Sequence, residues 1–248
     1  MHSIVLLGSG NVAHHLFAVL QPYIIQVYAR NAENLKSFSQ VKTTTKKNEI
    51  ADADVYIIAV NDDAIEEVST LLTSKSGLVV HTSGSVSINA IVTSRKGVFY
   101  PLQTFTKGKK LDFKNIPLCI EAQRIEDYEL LEKIGGSISN LVRKISTKQR
   151  QTLHVAAVFV NNFSNHLFYL AEEICAQDAI EFNLLKPLIE ETVAKIQDLS
   201  PKKAQTGPAK RNDEKTMHRH LQQLTAENNK KIYQLLSQSI QKTYEEKL

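Results

Sequence analysis

The chain contains no tryptophan, and its 248 residues include only two cysteines, two methionines, nine glycines and six prolines. Cys119 and Cys175 lie far apart and fit no metal-ligand spacing. A disulfide framework is therefore not expected, no metal site is expected, and the compartment should be a reducing one. Both thiols read as buried apolar groups. No apolar run approaches the roughly 20 residues that span a bilayer, so no membrane partner is expected. An excess of one charge sign is also missing: residues 1–146 hold 16 Lys+Arg against 14 Asp+Glu, and the remainder 14 against 12. With no basic stripe or tail, nucleic acid is not expected as a partner. Met1-His2-Ser3 leads directly into "IVLLG" without a charged leader or cleavage site. A soluble, cytoplasmic protein is the resulting expectation.

What the chain does hold is a series of short apolar runs separated by helical spacings. "SIVLLG", "IIQVYAR", "DVYIIAV" (54–60), "GLVVHTSG" (77–84) and "KGVFYPL" (96–102) read as strands, with "NVAHHLFAVL" and "DAIEEVSTLL" as helices between them. Runs with continuous β-branched residues indicate parallel strands covered on both faces. "IPLCIEA" (116–122), "DYELLEKIGG" and "LVRKIS" (141–146) extend the series. Residues 150–176 are apolar nearly all round, as suits a helix in a helical layer or a dimer interface. A second helix is expected over 184–199, and one long helix from about 213 to the end. The sequence thus predicts an α/β, Rossmann-type, doubly wound and mainly parallel sheet over 1–146. An all-helical substrate and dimerisation domain is expected over 147–248.

"GSGNVA" (8–13) follows the first strand and opens the first helix. In that context Gly8 permits a tight turn, Gly10 lets the backbone approach a pyrophosphate on the helix N-terminus, and Ala13 still allows close helix–strand packing. Ser9, Asn11 and Val12 complete the loop. About twenty residues on, where an acid would hold a free ribose hydroxyl, stand Tyr28, Ala29 and Arg30. A guanidinium there matches a 2′-phosphate, so NADP rather than NAD is the expected cofactor, with Arg30 and Asn31 as its contacts. A solvated surface arginine is the competing reading.

Further candidates come from strand ends, where open parallel sheets bind ligands. Val60 and Asn61 would run beside the cofactor, while Asp62 and Asp63 read as helix caps. Ser83 and Gly84 would approach the nicotinamide, or serve only as turn residues. Tyr100, Gln103 and Thr104 would line a substrate pocket, although a Tyr–Pro pair leaving a strand is also common loop chemistry. At 100° per residue, His154, Val158, Asn161 and Asn165 share one stripe with Asn162 beside it, which reads either as a site or as a structural hydrogen-bond network. Histidine is a common general acid or base, and His154, Ser83 and Asn162 are the candidate catalytic residues. Tyr100, Gln103, Thr104, Asn161, Asn165 and Arg211 are the candidate substrate contacts, Arg211 for an anionic end, although "TGPAKRND" (206–213) also reads as a plain basic loop.

"GSGNVA", "HTSGS", "YPLQTF", "HVAAVFVNNF" and "TGPAKRNDEKTMHRHL" occur in that order. This series resembles a family of Rossmann-like proteins with a helical C-terminal domain of unassigned function, generally described as NADP oxidoreductases. More distantly the chain is similar to pyrroline-5-carboxylate reductases, prephenate dehydrogenases and β-hydroxyacid dehydrogenases. The resemblance implies that Gly8, Gly10 and Arg30 bind the cofactor and that the helical domain often dimerises and closes the site. Tyr100, Gln103 and Thr104 match the family's strand-end motif. Asn162, Thr206, Gly207, Pro208, Arg211, Asp213 and His220 match its helical-domain motifs. Asn212 stands where the family usually has glycine. The lysine that β-hydroxyacid dehydrogenases carry on the first long helix is absent, with Val158 or a neighbour in that region, so their mechanism does not transfer simply. The implied function is hydride transfer between NADP and a small, anionic C=O or C=N substrate. A non-catalytic NADP-binding sensor or scaffold that dimerises through its helices is the alternative.

Overall fold

In a computed structural model, residues 2–245 are described. They divide into two compact units, 1–161 and 162–248, so the helix that begins at Thr147 counts with the first unit.

The first unit is built on eight strands: β1 (Ile4–Leu7), β2 (Ile24–Tyr28), β3 (Lys42–Thr44), β4 (Val55–Ile58), β5 (Leu78–His81), β6 (Lys96–Pro101), β7 (Leu118–Ala122) and β8 (Val142–Lys144). Their order is β3-β2-β1-β4-β5-β6-β7-β8, and every pairing is parallel except β6 with β7. This is the Rossmann arrangement expected, with one antiparallel step. Residues 102–117 between β6 and β7 contain only a short 3₁₀ turn (Phe113–Asn115). A parallel return needs a crossover, usually a helix, so the chain doubles back instead.

All four residues of β1, β4 and β5 are buried. Alternate side chains enter two cores: Ile4 and Leu6 face one, Val5 and Leu7 the other. Such double coverage explains why these strands read as unbroken apolar runs. Helix α1 (Asn11–Leu20) buries Ala13, Leu16, Phe17 and Leu20, the spacing of one helical face. Ala13 is wholly buried, so the small side chain in place of a third glycine allows the close packing expected of it. Helix α2 (Ala32–Leu35) follows β2, α3 (Ile65–Thr70) packs on the second core, and α4 (Ile125–Ile138) on the first.

Helix α5 (Thr147–Ala157) opens with a capping box: Ser146 Oγ accepts the Gln149 N–H, and Gln149 Oε1 accepts the Ser146 N–H. From Val158 to Phe163 the backbone is π-helical. That turn has a wider period than the α-helix, so the 100° stripe drawn from His154 through Asn161 to Asn165 does not continue through it.

In the second unit, α6 (Ser164–Gln177), α7 (Lys186–Asp198), the short α8 (Pro201–Ala204), α9 (Glu214–Gln223) and α10 (Glu227–Tyr244) follow. The single long helix expected from 213 is therefore two helices. After Leu224 the stretch "TAENNKK" offers no large apolar residue to hold a continuous helix against anything. The backbone is extended at Leu224 and Ala226. His220 Nδ1 then meets Tyr233 Oη at 2.8 Å. No helix among the described residues is long and apolar enough to cross a membrane.

Candidate functional site

A cleft of about 480 Å³ opens at the carboxyl ends of β1, β2 and β4. Gly8, Ser9, Gly10, Asn11, Val12, Arg30, Asn31, Val60 and Asn61 all line it, joined by Tyr28, Asn34 and Thr82. Nine of the expected cofactor positions thus converge on one cavity.

The loop's two glycines are needed for different reasons. Gly8 has φ +131°, and a Cβ there would sit 2.8 Å from the Ala59 carbonyl carbon, so the turn admits no side chain. Gly10 has open space where a Cβ would project, leaving the cleft free above the start of α1. Gly10 caps α1 without a side-chain hydrogen bond, and the first turn contains no acid. Unsatisfied N–H groups at a positive helix end with no resident carboxylate favour an anion. The donor set therefore fits a dinucleotide pyrophosphate. Asn11 Nδ2 donates to Phe105 O at 2.9 Å, tying the loop to the segment that leaves β6.

Arg30 is exposed at the tip of β2, and the nearest acid in sequence, Glu33, pairs with Lys36 at 2.7 Å. No carboxylate pairs with Arg30 among the described residues. Asn31 uses Oδ1 to cap α2, accepting the Glu33 N–H at 2.9 Å. Its oxygen is thus committed to the helix, and only its amide N–H₂ remains to meet a phosphate.

Asp62 and Asp63 do not cap the turn that follows β4; its N-cap is Asn61, with no side-chain cap bond. The Asp62 carboxylate instead accepts a short hydrogen bond from the Ser85 hydroxyl. Four residues after the end of β4, it ties the neighbouring strand's loop instead of folding back on its own.

Ser83 is buried, and its Oγ accepts the Ser85 and Val86 N–H groups at 3.1 Å each. That is turn chemistry. Neither Ser83 nor Gly84 is among the cleft-lining residues; Thr82, one step earlier, is. Gly84 faces elsewhere: a Cβ would lie 2.5 Å from His154 Nδ1 and 2.9 Å from Tyr100 Cζ. Gly84 thus lets the loop pack closely on those two rings.

Tyr100 and His154, separated by 54 positions, form a pair. Tyr100 Oη and His154 Nδ1 are 3.3 Å apart, with the rings edge to face at 6.2 Å between centroids. Burial pushes the Tyr100 hydroxyl above its ordinary range, with nearby Cys119 adding to the effect, so it keeps its proton at neutral pH. Gln103 and Thr104 are exposed, Gln103 Oε1 accepting the Thr104 N–H at 2.8 Å. Asn161 is exposed at the end of the first unit.

In the second unit, Asn162, Asn165 and Arg211 are exposed. Asn212 adopts a left-handed conformation (φ 51°). Asparagine tolerates that region better than most residues, which reconciles this side chain with a position of glycine character. Asp213 Oδ1 caps α9 by accepting the Thr216 N–H at 3.1 Å. Gln241 Nε2 reaches Asn212 Oδ1 at 3.2 Å.

Sequence reasoning missed His81 and Arg150. Both are fully buried. Arg150 lies four residues before His154, on the same helical face, and that spacing was the signal available. His81 sits inside an apolar strand with nothing around it to set it apart.

The chain is similar to several proteins of known structure. A putative NADP oxidoreductase from Bacteroides fragilis is 39% identical with TM-score 0.89, the match covering 97% of this chain and 98% of that one. A protein from Thermotoga maritima is 20% identical with TM-score 0.77, covering 98% of each chain. A pyrroline-5-carboxylate reductase from Coxiella burnetii is 16% identical with TM-score 0.57, covering 99% of this chain and 98% of that one; the last two likenesses show the fold. No curated protein matches the sequence. The first likeness supports a general oxidoreductase function. The family model described as "Domain of unknown function (DUF2520)" matches residues 116–240, half of the chain, and the chain belongs to that family.

Proposed function

We propose that the chain is an NADP-dependent oxidoreductase transferring a hydride to or from a small, anionic C=O or C=N substrate. The observation that carries this reading is the cleft itself, with a glycine loop at one side and, at the β2 tip, an arginine that pairs with no carboxylate among the described residues. No acid stands at Tyr28, Ala29 or Arg30 to accept a ribose hydroxyl or repel a 2′-phosphate. Gly8, Ser9 and Gly10 would hold the pyrophosphate, and Arg30 with the Asn31 amide would hold the 2′-phosphate.

The bound cofactor supplies or accepts the hydride. The chain's own work is to orient the reactants and to manage a proton. Tyr100 remains protonated and shares a hydrogen bond with His154, so the pair can hold a proton and return it to a substrate oxygen or nitrogen. Arg211 and the amides of Asn161, Asn162 and Asn165 are proposed substrate contacts, and Asn162 also remains a catalytic candidate. The Coxiella relative's name denotes reduction of an imine carboxylate, which accords with a substrate of this class.

We further propose a homodimer formed through the helical unit. Among its described residues the buried apolar side chains are Leu170, Ala209 and Met217, while Leu184 is 72% and Leu188 64% exposed, and Phe163, Val193, Ile196, Leu235 and Leu236 are exposed too. Exposed apolar surface of that extent marks an interaction site.

Cofactor titration tests the reading. Arg30→Ala is expected to weaken NADPH binding by ~1.5–3 kcal/mol, roughly ten- to a hundredfold, and to leave NADH nearly unchanged. Equal losses for both dinucleotides would refute the charge-based choice of NADP. A panel of keto acids, imines and hydroxy acids, none of which turns over with bound NADPH, would refute the enzyme.

A further inference from the structure

Helix α5 carries one charged side chain wholly removed from solvent. Arg150 is 0% exposed, and its guanidinium bridges the helix and the loop that follows β5. Nη1 donates to Ser83 O at 3.0 Å and to Val86 O at 2.7 Å. Nη2 donates to Glu121 Oε2 and Thr147 Oγ1, each at 3.2 Å. Glu121 Oε1 in turn accepts the Thr147 N–H and hydroxyl at 2.9 Å. Next along the helix, Gln151 Nε2 donates to Ser85 O at 2.8 Å. Three carbonyls of one loop are thus held by two consecutive side chains.

A buried guanidinium is costly to desolvate, and an apolar side chain of similar volume often stabilises as well or better. Packing alone therefore does not account for an arginine here. What the arrangement supplies is a fixed loop position. On one side of that loop, Gly84 lies against Tyr100 and His154. On the other, Ser85 is bonded to Asp62, beside the cleft-lining Val60 and Asn61. Thr82, at the start of the loop, lines the cleft itself.

We propose that Arg150 is a positioning residue which, with Gln151, fixes the loop after β5 between the cleft and the Tyr100–His154 pair, and so sets how the nicotinamide end of a bound dinucleotide is received. This rests on the dinucleotide reading given above and adds the residue that governs one end of it. Arg150 acts through the loop and through His154, one helical turn away. A lysine offers one compact ammonium and cannot bridge two carbonyls, a hydroxyl and a carboxylate together.

The test compares two probes on the full chain: NADPH, and 2′-phospho-ADP-ribose, which keeps the phosphates and riboses but lacks the nicotinamide. For Arg150→Lys the NADPH Kd is expected to rise about tenfold while that of the fragment stays within about twofold. Retained fragment binding also shows that the glycine loop and β2 tip are folded. Equal losses for both probes, or no loss for either, overturn the proposal. If Arg150→Lys fails to fold, Gln151→Ala decides, since it removes only the bond to Ser85 O. Its expected effect is a loss of about threefold confined to NADPH, and the absence of any split between the probes overturns the proposal. Failure of the wild-type chain to bind either probe refutes the dinucleotide reading instead, an outcome distinct from both.

Discussion

At the scale of single residues, His81 shows what burial does to an ionisable group in this fold. It is 0% exposed at the end of β5, and its Nδ1 accepts the Ser83 N–H at 3.1 Å. Desolvation, reinforced by the nearby Arg150 charge, lowers its pKa from 6.5 to about 4. Between those two values the unfolded chain binds a proton that the folded chain refuses. The stability contributed by neutral His81 is therefore complete above pH 6.5 and is lost as pH falls towards 4. At pH 4.5 the loss should be about 2–3 kcal/mol. Urea unfolding at pH 7 and pH 4.5 measures it, with His81→Asn keeping an acceptor for Ser83. The variant should lose most of the drop in stability across this window, and an undiminished drop would place the acid sensitivity elsewhere.

The same scale shows which site residues were legible. Gly8, Gly10 and Arg30 announced themselves because a turn, a close approach and a charge reversal each require a residue type at a fixed distance from a strand. Tyr100 was legible only as a strand-end residue. Its pairing with His154 spans more than fifty positions and follows from the way α5 is laid against β6, which local spacing does not encode. Asp62 was not legible, because its carboxylate meets Ser85, 23 positions away, whereas the Ser83 hydroxyl takes the local turn bonds that the sequence left open as one of its two readings.

At the scale of elements, α5 concentrates the structural demands. Its capping box, Ser146 with Gln149, satisfies two backbone donors at the helix start, and the first turn also presents Thr147 to Glu121. Ser146→Ala is expected to cost about 1 kcal/mol, read as a lower urea midpoint with an unchanged slope. A change in slope would mean that the helix start also governs the unfolding unit. The π-helical turn from Val158 to Phe163 had no counterpart in the sequence analysis, because apolar spacing alone does not distinguish one wide turn from regular helix. Strand β3 was equally faint: "KTT" pairs only with β2 at the sheet edge, so it has little to bury and carries no apolar run. The break between α9 and α10 is visible in retrospect as a polar gap after Leu224.

At the scale of the molecule, the two units differ in how they are stabilised. The first closes two cores around its sheet. The second leaves many of its large apolar side chains exposed, which a stable helical unit does not ordinarily do. Light scattering on the intact chain should give twice the monomer mass, and Leu188→Glu should shift it towards the monomer while leaving NADPH binding by the first unit in place. A wild-type chain that is monomeric at all accessible concentrations would refute the homodimer.

The alternation of the buried strands with helices in the first unit, the glycine loop and the arginine at the β2 tip were set by sequence alone, since each depends on contacts within a few turns of chain or on a periodicity that burial on two faces imposes. Tertiary structure decided the antiparallel β7, the meeting of Tyr100 with His154, the neutral His81 and the buried Arg150 clamp. These depend on which distant segments share one low-dielectric space, and a buried charge or ring acquires its partners only when the chain has closed around it.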